Sequence, residues 1–175
     1  MKRIGIIGCG GMGITHLLST KALAEKYDIA VTAMADLQPA KLDRASEIWP
    51  EAKRYGEGME LLEKEEIDIV LICLPSYLHT QYSAYAMEKK IDVFLEKPVC
   101  LTKADCSRLL EIQKKTGARV LVGQVVRVTE EYRYLKELVR HGTYGKLHSL
   151  TMWRLGGLVD WGYRNWFRDM ELSGS

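Results

Sequence analysis

Glycines and a carboxylate are spaced in the N-terminal part of the sequence as a dinucleotide-binding site requires. Gly8, Gly10 and Gly13 follow the apolar run 4–7, and Asp36 follows a second apolar run, 29–35. A glycine turn between a buried strand and a helix lets the backbone approach a pyrophosphate, which the helix N-terminus attracts. Asp36 lies at the distance expected for a ribose-binding acid, although it can also cap a helix that begins near Pro39. The predicted cofactor-binding residues of this region are Gly8, Cys9, Gly10, Gly11, Met12, Gly13 and Asp36.

A second motif places a titratable group near the same site. Glu96, Lys97 and Pro98 follow the apolar run 93–95. In an open parallel sheet, ligands bind in the crevice beyond the carboxyl ends of the strands. We therefore predict that Lys97 lies beside the reactive half of the dinucleotide. The alternative is a solvated lysine that forms an ion pair with a carboxylate.

The residues after the second apolar run indicate which dinucleotide is preferred. Leu37 and Gln38 follow Asp36 and offer no arginine for a 2′-phosphate. A carboxylate at this position accepts hydrogen bonds from the ribose hydroxyls and repels a phosphate. We predict that NAD is preferred over NADP.

Strand-like apolar runs alternate with helix-like runs over residues 1–123. This alternation is typical of a parallel sheet covered by helices on both faces. It predicts an α/β fold, a Rossmann dinucleotide-binding domain over 1–123. The predicted strands are 3–7, 29–35, 67–74, 93–96 and 119–123, and the predicted helices are 12–26, 39–49, 57–64, 80–89 and 103–116.

The pattern changes after Gly123. Residues 130–141 predict a long helix and 147–155 a half-buried strand, the beginning of an incomplete α+β second domain over 124–175. One strand has nowhere to bury its apolar face. We therefore expect that the sequence is truncated. We also expect this tail to be partly disordered, to lie against the first domain, or to pair with another copy.

Composition excludes several classes of partner. The 175 residues carry a net charge of +2 and 47% hydrophobic residues, and the basic residues are scattered. This balance argues against nucleic acid and membrane surfaces as partners. The four cysteines form no C-x-x-C pair, so we expect neither a metal site nor a disulfide framework. We expect a cytoplasmic location, where cysteines stay reduced.

Further motifs along the whole chain resemble one family, the Gfo/Idh/MocA oxidoreductases. Glu96-Lys97-Pro98 is similar to the family's most specific signature, and Leu74-Pro75-Ser76-Tyr77-Leu78-His79 to its segment after the fourth strand. The stretch 123–127, with 131–132 and 145–146, is similar to the connection into the family's second domain. Residues 161–166 and 173–174 resemble the segment that, in the family, leads to a helix bearing Asp and His.

The resemblance implies hydride transfer between a nicotinamide cofactor and a secondary alcohol of a sugar or cyclitol, in a homo-oligomer when the chain is full-length. It implies that Lys97 is the catalytic base or proton relay, that Glu96 touches the nicotinamide ribose, and that the Lys97–Pro98 bond is cis. For His79, a place near the nicotinamide and a capping or packing role remain open. For Arg127, a place near the cofactor and an interdomain salt bridge remain open. The implied cofactor-binding residues after residue 70 are Leu74, Pro75, Ser76, His79, Glu96, Lys97 and Arg127.

Two other functions are compatible with the sequence. One is a glycosidase of the same family that uses tightly held NAD within one catalytic cycle. The other is a non-catalytic dinucleotide-binding module. For the 175-residue chain itself, we expect dinucleotide binding without turnover.

Overall fold

A computed structural model describes residues 1–153, 155–157 and 162–174. The strands are β1 Lys2–Ile7, β2 Ile29–Ala35, β3 Lys53–Tyr55, β4 Ile69–Ile72, β5 Asp92–Leu95 and β6 Val120–Val122. The α-helices are α1 Gly11–Tyr27, α2 Pro39–Ile48, α3 Gly58–Lys64, α4 His79–Glu88, α5 Lys103–Thr116, α6 Glu130–His141 and α7 Met170–Ser173. Short 3-10 helices cover Ser76–Leu78, Val125–Val128 and Tyr163–Arg168.

The six strands form one parallel sheet in the order β3-β2-β1-β4-β5-β6. The chain winds from β1 towards β3 on one side and from β4 towards β6 on the other, so the order reverses between β1 and β4. In such sheets the crevice at this reversal, outside the carboxyl ends of the strands, is where ligands bind. The predicted α/β Rossmann fold with a parallel sheet is confirmed.

Each face of the sheet is covered by its own hydrophobic cluster. On one face, strand residues such as Ile72 and Leu95 pack against α3, α4 and α5, with Met87 of α4 fully buried. On the other face, Ile6 and Met34 pack against α1 and α2. The strands are therefore buried on both sides, which is why they appear in the sequence as continuous apolar runs.

Two helices of the sheet domain begin and end as their local sequences predict. The hydroxyl of Thr102 accepts a hydrogen bond from the Asp105 N–H at 3.1 Å and caps α5. Gly117 ends α5 in the left-handed conformation with φ +74°, which glycine adopts without steric cost. Pro39 occupies the first turn of α2, where its missing N–H has no helical acceptor.

The strand predicted over 147–155 is wrong for the described residues of that range, which form no strand. A strand is stable only with a neighbour to pair with, and the described sheet ends at β6. Trp153 and Leu155 are 84% and 90% exposed. The later segment behaves differently: Ser173 is buried, and a Cβ at Gly174 would lie 2.7 Å from the Leu101 side chain. The end of the described chain thus lies against the sheet domain.

Candidate cofactor-binding site

The glycine loop follows β1 and is shaped by steric exclusion. Gly8 has φ +93°, and a Cβ there would lie 2.4 Å from the carbonyl oxygen of Cys73. A Cβ at Gly13 would lie 2.0 Å from the carbonyl oxygen of Gly8. Both positions therefore accept only glycine, one for the turn and the other for the close approach of α1 to β1.

The first turn of α1 leaves room and hydrogen-bond donors for an anion. No described atom lies within 4 Å of a Cβ built at Gly11. Among the described residues, no side chain caps the helix at Gly10, and the first turn contains no acidic residue. The N–H groups of this turn therefore have no side-chain cap among the described residues, and they lie at the positive end of the helix dipole. These features fit a pyrophosphate, which the fold class implies.

Asp36 ties the end of β2 to the glycine loop. One carboxylate oxygen accepts a hydrogen bond from the Cys9 N–H at 2.9 Å, and the other accepts one from the Gln38 N–H at 2.8 Å. The N-cap of α2 is Gln38, so the capping role considered for Asp36 is wrong. Each oxygen keeps a lone pair for a further donor such as a ribose hydroxyl.

Cys9 is a structural member of this loop. Its thiol is 1% exposed, and burial, with a smaller effect from Asp36, raises its pKa to about 12. A thiol with such a pKa stays protonated and unreactive near neutral pH. Cys9 therefore contributes its N–H to Asp36 and a small side chain to the core.

Glu96 and Lys97 lie at the end of β5 in opposite environments. Glu96 is 6% exposed, and one of its carboxylate oxygens lies 2.8 Å from Nε2 of His16 on α1. This hydrogen bond is the largest influence on the pKa of Glu96, which lies below its usual value. The Lys97 side chain is exposed, and no described carboxylate lies within ion-pair distance of it. The bond between Lys97 and Pro98 is cis, as the family resemblance implied.

His79 connects the two loops that follow β4 and β5. It is fully buried, with Nδ1 2.6 Å from the Pro98 carbonyl oxygen and Nε2 2.8 Å from the Leu74 carbonyl oxygen. Both partners are main-chain carbonyl oxygens, so each ring nitrogen faces a hydrogen-bond acceptor. His79 thus supports the loops from beneath, adjacent to Lys97.

The two motifs meet on one open cavity of about 1150 Å³ at the sheet reversal. Predicted site residues on its lining are Gly8, Gly10, Gly11, Met12, Asp36, Leu74, Pro75, Ser76, Glu96 and Lys97. The described lining leaves out four others, Cys9, Gly13, His79 and Arg127. Arg127 is exposed on the 3-10 helix Val125–Val128, outside this lining.

Several residues of the lining are not among the site residues predicted from the sequence. Lys41 of α2 lines the cavity beside the glycine loop. Trp166 and Phe167 line it from the tail, with their rings stacked at a centroid distance of 3.8 Å. The tail lacks hydrophobic periodicity, so no sequence signal placed these two rings at the cavity. Trp161, named within the family-like tail segment, lies outside the described residues.

Two negative findings concern the described part of the chain. It contains no cluster of three or more His, Cys, Asp or Glu side chains placed to hold a metal ion. None of its helices combines the length and apolar character that crossing a membrane requires.

The chain is similar to known proteins in both sequence and fold. Residues 2–124 match the Gfo/Idh/MocA family, which is described as an oxidoreductase family with an NAD-binding Rossmann fold. A myo-inositol 2-dehydrogenase of Thermotoga maritima is 33% identical over 150 residues, 86% of this chain and 44% of that protein. An inositol 2-dehydrogenase of Acidothermus cellulolyticus is 31% identical over 144 residues, 82% of this chain and 42% of that protein.

A solved structure of an inositol dehydrogenase is similar to this chain in its fold. The scyllo-inositol dehydrogenase of Lactobacillus casei, with bound NAD(H) and scyllo-inositol, superposes with a TM-score of 0.76 at 26% identity. The match covers 83% of this chain and 42% of that one. The chain thus spans less than half the length of these relatives.

Proposed function

The chain belongs to the Gfo/Idh/MocA oxidoreductases, a family with an NAD-binding Rossmann fold, and we propose that its cavity binds NAD for hydride exchange with a secondary alcohol of a cyclitol or sugar. One observation carries the proposal. The glycine loop, Asp36 and Lys97 line the same cavity at the sheet reversal. The names of the relatives, inositol dehydrogenases, favour a cyclitol as the substrate.

The N-terminal turn of α1 is proposed to hold the pyrophosphate. Its N–H groups and helix dipole favour negative charge, and the space at Gly11 admits the phosphates without a steric clash. The Asp36 carboxylate is held by two main-chain N–H groups and accepts hydrogen bonds from the adenosine ribose. Its charge disfavours a 2′-phosphate, so NAD is the preferred dinucleotide.

Lys97 is proposed to take the proton from the substrate hydroxyl. When bound, the nicotinamide ring accepts or returns the hydride. The Lys97 side chain is exposed on the cavity lining after β5. His79 anchors the same loop through the carbonyl oxygen of Pro98. Glu96 is held by His16 on the α1 side, so it positions the strand end.

The test uses a charge placed at the pyrophosphate position. Gly11→Glu puts a carboxylate on the first turn of α1, where it repels the phosphates and fills their space. We expect NAD affinity, measured by titration calorimetry, to fall by about tenfold or more, the scale of a lost charge-assisted hydrogen bond.

The helix itself should not suffer, because acidic residues in a first turn stabilise helices by about 0.3–1 kcal/mol. Gly157→Glu is the matched control, since that glycine also has no described atom within 4 Å of a Cβ position. Equal NAD affinity in the unmodified chain and in Gly11→Glu would sink the proposed pyrophosphate site.

A further inference from the structure

Lys41, which is not among the site residues predicted from the sequence, lies at the Asp36 end of the cavity. Lys41 is in the first turn of α2, where its N–H donates to the Gln38 carbonyl oxygen at 3.0 Å. The side chain is half-buried, and its Nζ lies 4.0 Å from a Cβ built at Gly10. The ammonium therefore lies next to the glycine loop, on the lining of the same cavity.

Asp36 and Lys41 bring opposite charges to the same small region. After burial, which has the largest effect, Asp36 raises the pKa of the Cys9 thiol and Lys41 lowers it. Both charges are thus close enough to the loop to act on one atom of it. The Asp36 carboxylate is fixed by two main-chain N–H groups, whereas the lysine ammonium is carried on a flexible stem that can follow an anion.

We propose that Lys41 is a specificity-determining residue, which offers a cation to a 2′-phosphate and so limits the preference for NAD that Asp36 creates. This inference rests on the proposed function, because it concerns how the same cavity distinguishes two dinucleotides. A ribose with a free 2′-hydroxyl presents no charge for Lys41 to bind. A 2′-phosphate presents an anion that the ammonium stabilises by a charge-assisted hydrogen bond.

Four forms of the chain separate the two charges: the unmodified chain, Lys41→Gln, Asp36→Ser and the double variant. Titration calorimetry of each with NAD and with NADP gives eight affinities. Lys26→Gln is the control, because Lys26 is in the last turn of α1 and is not part of the cavity lining in the described residues. Thermal unfolding of each form shows that it is folded.

We expect Lys41→Gln to weaken NADP binding by about tenfold or more and to change NAD binding by less than about threefold. Asp36→Ser should strengthen NADP binding, and the double variant should lose most of that gain. The comparison of Asp36→Ser with the double variant measures the effect of Lys41 on NADP affinity even if the unmodified chain binds NADP too weakly to measure.

Three results would overturn the inference. If Lys41→Gln lowered NAD and NADP affinity equally, Lys41 would be a pyrophosphate contact. If Lys41→Gln left NADP affinity unchanged both in the unmodified chain and in Asp36→Ser, Lys41 would not contact the dinucleotide. These two results leave NAD binding in place, so the proposed function survives them. Absence of NAD binding by the unmodified, folded chain would instead overturn the proposed function together with this inference.

Discussion

Lys97 and Glu96 are adjacent in sequence but point to different surroundings. Successive side chains at a strand end alternate between the two faces of the sheet. Glu96 is therefore buried against α1 and bonded to His16, while Lys97 is exposed on the cavity. The hydrogen bond from His16 lowers the pKa of Glu96, which keeps it ionised near neutral pH. Of the two, Lys97 is therefore the one that we propose for proton transfer.

Lys97→Met tests this assignment. In a form of the protein that oxidises a polyol, turnover should fall by about a hundred- to ten-thousandfold, the usual contribution of general acid–base catalysis. NAD affinity should change by less than about threefold, because Lys97 acts on the substrate proton. Lys103→Met, at the exposed start of α5, is the control. A turnover loss below about threefold would reduce Lys97 to a bystander.

His79 is a contact between the loops after β4 and β5. Its ring reaches the main-chain oxygens of Leu74 and Pro98 from the start of α4. The loop that carries Lys97 is therefore braced by the first residue of α4, the helix between β4 and β5.

His79→Leu should destabilise the fold. It removes the hydrogen bonds that the buried ring makes with the main-chain oxygens of Leu74 and Pro98, each of which contributes about 0.5–1.5 kcal/mol. In urea unfolding, we expect the transition midpoint of His79→Leu to lie at a lower urea concentration, with an unchanged m-value. His148→Leu, at an exposed position, should leave the midpoint within about 0.5 kcal/mol of the unmodified chain. Equal stability of the two variants would contradict a bracing role for His79.

The sequence predicted the elements that carry strong local signals. Strand β2 and helix α5 have the predicted bounds, and the other predicted elements of the sheet domain agree within a few residues. Strand β3 was missed because Lys53-Arg54-Tyr55 is a short edge strand without an apolar run. The glycine loop was recognisable because its positions are fixed by steric exclusion. Lys41 was not, since its place depends on how α2 packs against the loop.

The cavity lies where the sheet order reverses between β1 and β4, and three parts of the chain contribute to it. Helix α1 approaches it from one half of the sheet and the Lys97 loop from the other. Trp166 and Phe167 add a third side from the tail. Residues 151–153 and 155–157, in contrast, are exposed and pack no apolar surface against this cavity among the described residues.

The chain of 175 residues is therefore expected to bind NAD without oxidising inositols or sugars. The sheet domain supplies the groups proposed for the dinucleotide, while Trp153 and Leu155, in the segment that follows it, are exposed and are not part of the described cavity lining. NAD at about a hundred times its dissociation constant should stabilise the fold by about 2.7 kcal/mol, visible as a higher melting temperature. Incubation with NAD and myo-inositol should give the same NADH absorbance as Lys97→Met. Steady NADH formation by the homogeneous chain, above that variant, would show that these residues already complete an active site.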